Sequence, residues 1–321
     1  MVVANPYESS KYPALSSAWD YSVRKLDDLK STLHLTNADS ESCIAVVGSF
    51  GRNEASSCSD LDYILLSESD SEYDRLNSEL HSITLEKGIA FSNANGVFSK
   101  RVTPLELTNI AGAKEEALHQ LAQRILLLLE SKPIYNESYF EKIREEILGK
   151  YLEYLNDDSD KFPVYLLNDT IRYFRWICVN LQFYFWAENE KWTIRNIKLR
   201  HSRIVMYAGM LLVLLNSSNK TNKRDYIESM LPMTPLERIA SVFNDNGHSA
   251  EKILEAYDFF LSLLRNQTVR DALQVDYKER YNNCYYDRLK TNSDELQQTL
   301  SNFIFDMRGK WKDEAMEYLI F

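Results

Sequence analysis

The sequence predicts an α+β protein, in which a small domain of strands and helices is followed by a mainly helical domain. Two short apolar runs near the start of the chain, Cys43–Val47 and Leu61–Leu66, are rich in residues that favour strands. From about residue 105 onward, apolar residues recur at helical spacing almost without interruption. The chain has only 9 glycines and 7 prolines in 321 residues, which disfavours turn-rich β-sandwiches and barrels.

The elements of the first domain are predicted to alternate between helices and strands. Residues 14–35 have the spacing of an amphipathic helix, and the two apolar runs then form strands on either side of a segment rich in Gly, Ser and Asn. Residues 72–87 predict a further helix, and residues 88–103 are irregular or strand-like. Pro133 interrupts an apolar helix, so we place a domain boundary there. The predicted domains are residues 1–133 and 134–321.

The second domain is predicted to consist of helices. Its longest apolar run, Ile204–Leu215, is too short to span a bilayer and predicts a buried helix. Other segments alternate apolar and polar faces with helical periodicity. The expected helices cover residues 137–156, 164–187, 194–215, 225–231, 235–246, 249–265 and 293–318.

The overall charge disfavours one class of function, the binding of a long nucleic acid. The chain carries 47 acidic and 37 basic side chains, for a formal net charge of -10. Because phosphate neutralisation requires an excess of Lys and Arg, this charge disfavours a long nucleic acid as partner. The N-terminus has no basic region followed by an apolar core, and the cysteines have no metal-ligand spacing. We therefore expect a cytoplasmic protein with reduced thiols and no membrane partner.

The segment between the two predicted strands, together with the start of the second strand, contains residues suited to binding phosphate and metal. The first strand ends at Gly48 and Ser49, where a glycine lets the backbone approach a ligand and a helix start offers N–H groups to phosphate. Asp60 and Asp62 are two residues apart on the second strand, so both project from one face. Paired carboxylates suit Mg²⁺, which commonly binds one or two carboxylates together with substrate phosphates. A phosphate cradle beside such a pair is what nucleotidyl transfer requires.

The order of these features resembles the signature of the DNA polymerase β-like nucleotidyltransferase superfamily. The form Gly-Ser-Phe-Gly-Arg-Asn-Glu followed by Ser-Asp-Leu-Asp is most similar to the branch that contains PII uridylyltransferase and related bacterial nucleotidyltransferases. The resemblance implies a small mixed-sheet catalytic domain, with Arg52 and Glu54 on the short helix. It also implies a role for each motif residue: Gly48, Ser49 and Arg52 in nucleotide binding, Asp60 and Asp62 in catalysis and in binding Mg²⁺ or Mn²⁺, and Glu54 in support.

The sequence departs from the superfamily at one position. Many active members supply a third carboxylate from a later strand, but the matching region here, Ile89–Val102, contains no Asp or Glu and has Asn93 and Asn95 instead. Three explanations stay open: the third acid comes from elsewhere, with Glu106 and Asp74 as candidates, two carboxylates suffice, or the site is degenerate.

A basic segment, residues 191–224, stands out in this acidic chain because it has eight Lys or Arg and no Asp or Glu. Arg195, Lys198 and Ser202 share a face if the segment is one α-helix. These basic side chains either pair with acidic residues of neighbouring helices or bind nucleotide phosphates or an anionic acceptor. In the resembled superfamily, a basic residue from a helical C-terminal domain commonly reaches the phosphates, so we assign Arg195 and Lys198 to nucleotide binding.

The sequence therefore predicts an enzyme, a Mg²⁺-dependent nucleotidyltransferase. It would move an NMP from an NTP to a hydroxyl of a protein or small-molecule acceptor and release pyrophosphate. Two alternatives stay open. One is a catalytically inactive nucleotide-binding or antitoxin-like regulatory protein, which the missing third carboxylate favours. The other is a HEPN-like ribonuclease, in which Arg195 and His201 would act on the scissile phosphate.

Overall fold

The computed structural model describes residues 4–33, 41–91, 100–109, 111–155 and 161–319. These residues form a mixed α+β fold, with a small mixed sheet and a helical C-terminal region, which confirms the predicted fold class at this level. The chain divides into two units, residues 18–156 and residues 1–17 with 157–321. We call the first the sheet unit and the second the helical unit.

Four strands in the described part of the chain form the sheet, in the order β3-β2-β1-β4. The central strand β1 runs antiparallel to both β2 and β4, whereas β3 pairs with β2 in parallel. All six residues of β1 are buried, so apolar side chains cover both of its faces. The strands are β1 (Ser42–Val47), β2 (Asp60–Ser67), β3 (Ala90–Phe91) and β4 (Lys132–Tyr135).

The helices of the sheet unit cover the sheet with apolar side chains. Leu29 of the first helix and Leu76 of the third pack with Ile44 and Leu61 of the two central strands. The fifth and sixth helices also pack against β1. Their bounds are α1 (Pro13–Leu33, which belongs to this unit from residue 18 onward), α2 (Gly48–Gly51), α3 (Asp70–Glu86), α4 (Pro104–Asn109), α5 (Leu118–Leu129) and α6 (Glu137–Leu152), and a 3₁₀ turn follows at Glu153–Leu155.

The helical unit is built around the buried helix α9, which packs against α11. A π-helical turn, Leu199–Arg203, and a 3₁₀ turn, Tyr277–Asn282, interrupt the α-helices. The helices are α7 (Val164–Ala187), α8 (Asn189–Lys198), α9 (Ile204–Ser217), α10 (Lys223–Met230), α11 (Pro235–Asp245), α12 (Glu251–Leu264), α13 (Gln267–Ala272), α14 (Cys284–Asp306) and α15 (Asp313–Glu317).

The predicted domains, residues 1–133 and 134–321, stay a prediction, although Pro133 does not interrupt a helix. Pro133, where we placed the boundary, lies within β4 and pairs with Ala45 of β1. The edge position of β4 explains why a proline, which cannot donate a hydrogen bond, is tolerated there. The strand β4 belongs to the sheet unit, residues 18–156. In the described ranges, no helix combines the length and the apolar character needed to cross a membrane.

Candidate functional site

The turn between β1 and β2 depends on a glycine at position 48. Gly48 has a φ of 66°, in the left-handed region that side chains disfavour. A Cβ atom at this position would come within 2.6 Å of the Asp62 Oδ2 atom. Because Val47 pairs with Asp62 across the antiparallel ladder, the Asp62 carboxylate lies beside the Cα of the next residue, Gly48. The glycine therefore permits both the turn and the position of this carboxylate.

Asp60 and Asp62 both belong to β2, as the sequence predicted. Alternate residues of a strand point to the same side, so the two carboxylates share a face, while Leu61 between them is fully buried on the other. Asp60 is exposed and Asp62 is half-buried. The two carboxylates thus lie at the start of β2, and that of Asp62 is beside the Gly48 turn.

The strand next to Asp60 supplies no further carboxylate. In β3, Ala90 pairs with Asp60 and Phe91 pairs with Leu61. Asn93 and Asn95, which follow, lie outside the described residues. Among the residues that the structure describes, no group of three or more His, Cys, Asp or Glu side chains is arranged to hold a metal ion. Two carboxylates still fit a Mg²⁺ ion that also binds nucleotide phosphates.

The two candidates for a third acid are placed differently. The Glu106 carboxylate accepts hydrogen bonds from the Thr103 backbone N–H at 2.8 Å and from the Gln120 side chain at 3.2 Å. These contacts place it at the start of α4, where it stabilises the first turn. Asp74 lies exposed on α3. The structure brings neither of them into a described metal-binding group with Asp60 and Asp62.

Arg52 and Glu54 form a buried ion pair behind the turn. Helix α2 ends at Gly51, so both residues follow the short helix on which the resemblance had placed them. The Arg52 Nε atom lies 2.8 Å from Glu54 Oε2, and its Nη1 atom lies 2.6 Å from Glu130 Oε2. The side chains of Arg52 and Glu54 are each only 6% exposed, and that of Glu130 is 0% exposed. This cluster is a buried network rather than a surface ion pair.

The backbone amide of Gly48 is part of the same network. Its N–H donates to Glu130 Oε1 at 3.1 Å, so in this conformation it is not available to a phosphate. Ser49 is half-buried, and within the described part of the chain its hydroxyl makes no hydrogen bond. Of the two residues that the sequence assigned to phosphate binding, Ser49 is therefore the one that can present a donor to a ligand.

Sequence analysis missed Glu130. It lies 82 residues after Gly48 and 78 after Arg52, and no local motif contains it. The sequence contained one indication that Glu130 is buried and paired. It directly follows the apolar run Ile125–Leu129, whose residues are buried in the structure. A carboxylate at the end of such a run is rarely buried unless it is paired.

The basic segment is largely paired within the helical unit. At least four of its eight basic side chains contact carboxylates, which agrees with the first of the two interpretations of this segment. Arg195 lies over the Tyr184 ring, with its guanidinium carbon 3.7 Å from the ring centroid. Binding of nucleotide by Arg195 and Lys198 stays a prediction. The four pairs are Lys191–Glu188, Arg200–Asp294, Lys220–Asp245 and Arg224–Glu228.

The predicted shared face of Arg195, Lys198 and Ser202 assumed a continuous α-helix. The π-helical turn at Leu199–Arg203 interrupts that helix and changes the angle between successive side chains. The Ser202 hydroxyl donates to the Lys198 backbone carbonyl at 3.1 Å. Ser202 is therefore engaged with its own helix.

His201, the second residue of the ribonuclease alternative, lies inside the π-helical turn. Its side chain is fully buried and stacks on Phe260, with ring centroids 4.3 Å apart. Nδ1 donates to the Ile197 carbonyl at 2.9 Å, and Nε2 accepts from the Asn292 amide at 3.0 Å. Burial lowers the pKa of His201 from 6.5 to about 4. A ring held in this way is a structural element of the helical unit and faces no substrate.

No family model and no curated protein matches this chain. Its function must therefore be inferred from the side chains described above and from the motif at residues 47–63.

The buried His201 predicts a loss of stability in acid. Between pH 6.5 and 4 the unfolded ring binds a proton that the folded ring does not, so stability falls as the pH drops. At about 1.4 kcal/mol per pKa unit, the loss approaches about 3 kcal/mol at pH 4. Urea unfolding at several pH values should show a flatter pH dependence in His201→Phe than in wild type. His248→Phe serves as the control, and an unchanged pH dependence in His201→Phe would contradict the assignment.

Proposed function

We propose that the sheet unit is a Mg²⁺-dependent nucleotidyltransferase, which transfers an NMP from an NTP to a hydroxyl group of a protein or small molecule. One observation carries the proposal: Asp60 and Asp62 share a face of β2, and the Asp62 carboxylate lies directly beside the Gly48 turn. The similarity of this segment to the DNA polymerase β-like nucleotidyltransferase motif supports the same function.

The described residues have distinct roles in this proposal. Asp60 and Asp62 provide the carboxylate oxygens for divalent cations, and the Ser49 hydroxyl donates to a phosphate of the nucleotide. When bound, Mg²⁺ supplies charge neutralisation and alignment of the attacking and leaving oxygens. The acceptor oxygen forms a bond to the α-phosphorus, the bond from this phosphorus to the bridging oxygen breaks, and pyrophosphate leaves. The hydroxyl proton passes to solvent, to which the site is open at Asp60.

A second candidate function is nucleotide binding without transfer. The observation that favours it is the absence of Asp and Glu from Ile89–Val102, the segment that contains β3. Both functions require the Gly48 turn and the two carboxylates, so binding alone does not distinguish them. Release of pyrophosphate from an NTP in the presence of an acceptor does.

Removal of the two carboxylates tests the proposed site. We expect Asp60→Asn with Asp62→Asn to weaken Mg²⁺-dependent NTP binding by at least about tenfold, because the cation loses its protein ligands. Isothermal titration with each NTP, with and without Mg²⁺, measures the effect. The fold should persist, since the substitutions relieve repulsion between neighbouring charges.

The matched control for this double variant is Asp27→Asn with Glu86→Gln. It removes the same charge from two exposed positions of the sheet unit and should bind NTP as wild type does. An Asp60/Asp62 double variant that binds NTP with unchanged Mg²⁺ dependence would overturn the proposed site.

A side chain at Gly48 should also disrupt binding. Gly48→Ala places a Cβ where the Asp62 carboxylate lies, so we expect NTP affinity to fall by at least about tenfold. Gly247→Ala is the control, because Gly247 also has a left-handed φ of 75° but its Cβ would meet nothing within 4 Å. Both variants carry backbone strain, and only Gly48→Ala moves a carboxylate. Equal NTP affinity in the two variants would count against a role for Asp62.

A further inference from the structure

We infer that Glu130 is a positioning residue of this site, which holds the Gly48–Arg52 turn in the conformation that nucleotide binding requires. Its role in nucleotide binding rests on the proposed function, whereas its contacts to the turn are a feature of the structure. The Glu130 carboxylate joins the two ends of the turn, because Oε1 accepts from the Gly48 N–H and Oε2 accepts from Arg52 Nη1.

The backbone of Glu130 constrains the turn as well. A Cβ atom at Gly51 would collide with the Glu130 carbonyl oxygen, so the end of α5 lies directly against the last residue of α2. The Glu130 side chain thus contacts Gly48, the first residue of α2, and Arg52, the residue that follows α2. The Glu130 backbone lies against Gly51, the last residue of α2. Ser49, which lies between these contacts, is half-buried.

The electrostatics of the network favour this geometry. Two carboxylates, Glu54 and Glu130, share the guanidinium of Arg52. A buried carboxylate is costly unless donors satisfy both of its oxygens, and the Gly48 N–H provides the donor for Glu130 Oε1. The conformation at Gly48 is therefore coupled to the charge and geometry of Glu130.

Glu130→Gln is the variant that tests this coupling. Glutamine has nearly the same shape, but it has one acceptor oxygen and one amino group that only donates. The two donors contact different oxygens of the carboxylate, and in glutamine one of these positions holds the amino group, so one of the two contacts must break. We expect the Gly48 amide proton to exchange with solvent at least about tenfold faster than in wild type, and the affinity for Mg²⁺·ATP to fall by at least about tenfold.

The matched control is Glu116→Gln. Glu116 forms a comparable pair with Arg124 in the same unit, and both side chains are 1% exposed. The substitution therefore removes a buried charged pair of the same type without touching the turn. It should lower the melting temperature to a similar degree while leaving the exchange of the Gly48 amide and the ATP affinity unchanged.

Four outcomes decide the inference. The inference is supported if the Gly48 amide exchanges faster and ATP binds more weakly in Glu130→Gln but not in Glu116→Gln. Wild-type ATP affinity in a folded Glu130→Gln variant overturns the inference and leaves the proposed function intact. An equal loss of affinity in Glu116→Gln also overturns it, because the effect would then follow general destabilisation. If wild-type protein binds no NTP with Mg²⁺, the proposed function is overturned, and with it the nucleotide role of Glu130, even where Gly48 exchange accelerates.

Discussion

A single buried carboxylate, that of Glu130, connects segments of the sheet unit that are far apart in the sequence. It binds the amide of Gly48 and the guanidinium of Arg52, and its own carbonyl lies against Gly51. Loss of one partner from a buried ion pair typically costs about 3–5 kcal/mol, because a charge is left uncompensated. Glu130, at the end of α5, therefore fixes the conformation of the turn between β1 and β2. The positions of the candidate site residues depend on that contact.

A consequence of this contact is that the Gly48 backbone lies close to the Asp62 carboxylate. Since the amide of Gly48 points toward Glu130, its Cα is left open to Asp62, whose Oδ2 atom occupies the space of a missing side chain. Asp60, two residues before Asp62 on β2, lies on the same face. The Gly48 turn and the two carboxylates thus lie together at the start of β2, where the proposed function places metal and phosphate binding.

Periodicity predicted the regular elements well, because apolar spacing is a local property. The helix expected at 164–187 is observed as Val164–Ala187, and both central strands were located. The strand β4 was missed because it has only four residues and contains Pro133. The π-helical turn was missed because its residues continue the helical pattern, and its tertiary contacts, such as the bond between His201 and Asn292, form only on folding. Glu130 was missed for the same reason, since its partners are joined to it only by folding.

The most direct test of the account is to locate bound metal and nucleotide on the protein. Mn²⁺ added with NTP broadens the amide signals of nearby residues in the NMR spectrum. The account predicts broadening at Gly48, Ser49 and residues 60–62 that requires the nucleotide and is reversed by excess Mg²⁺. Sharp signals at these residues under saturating Mn²⁺ and NTP, or broadening confined to other parts of the protein, would contradict it.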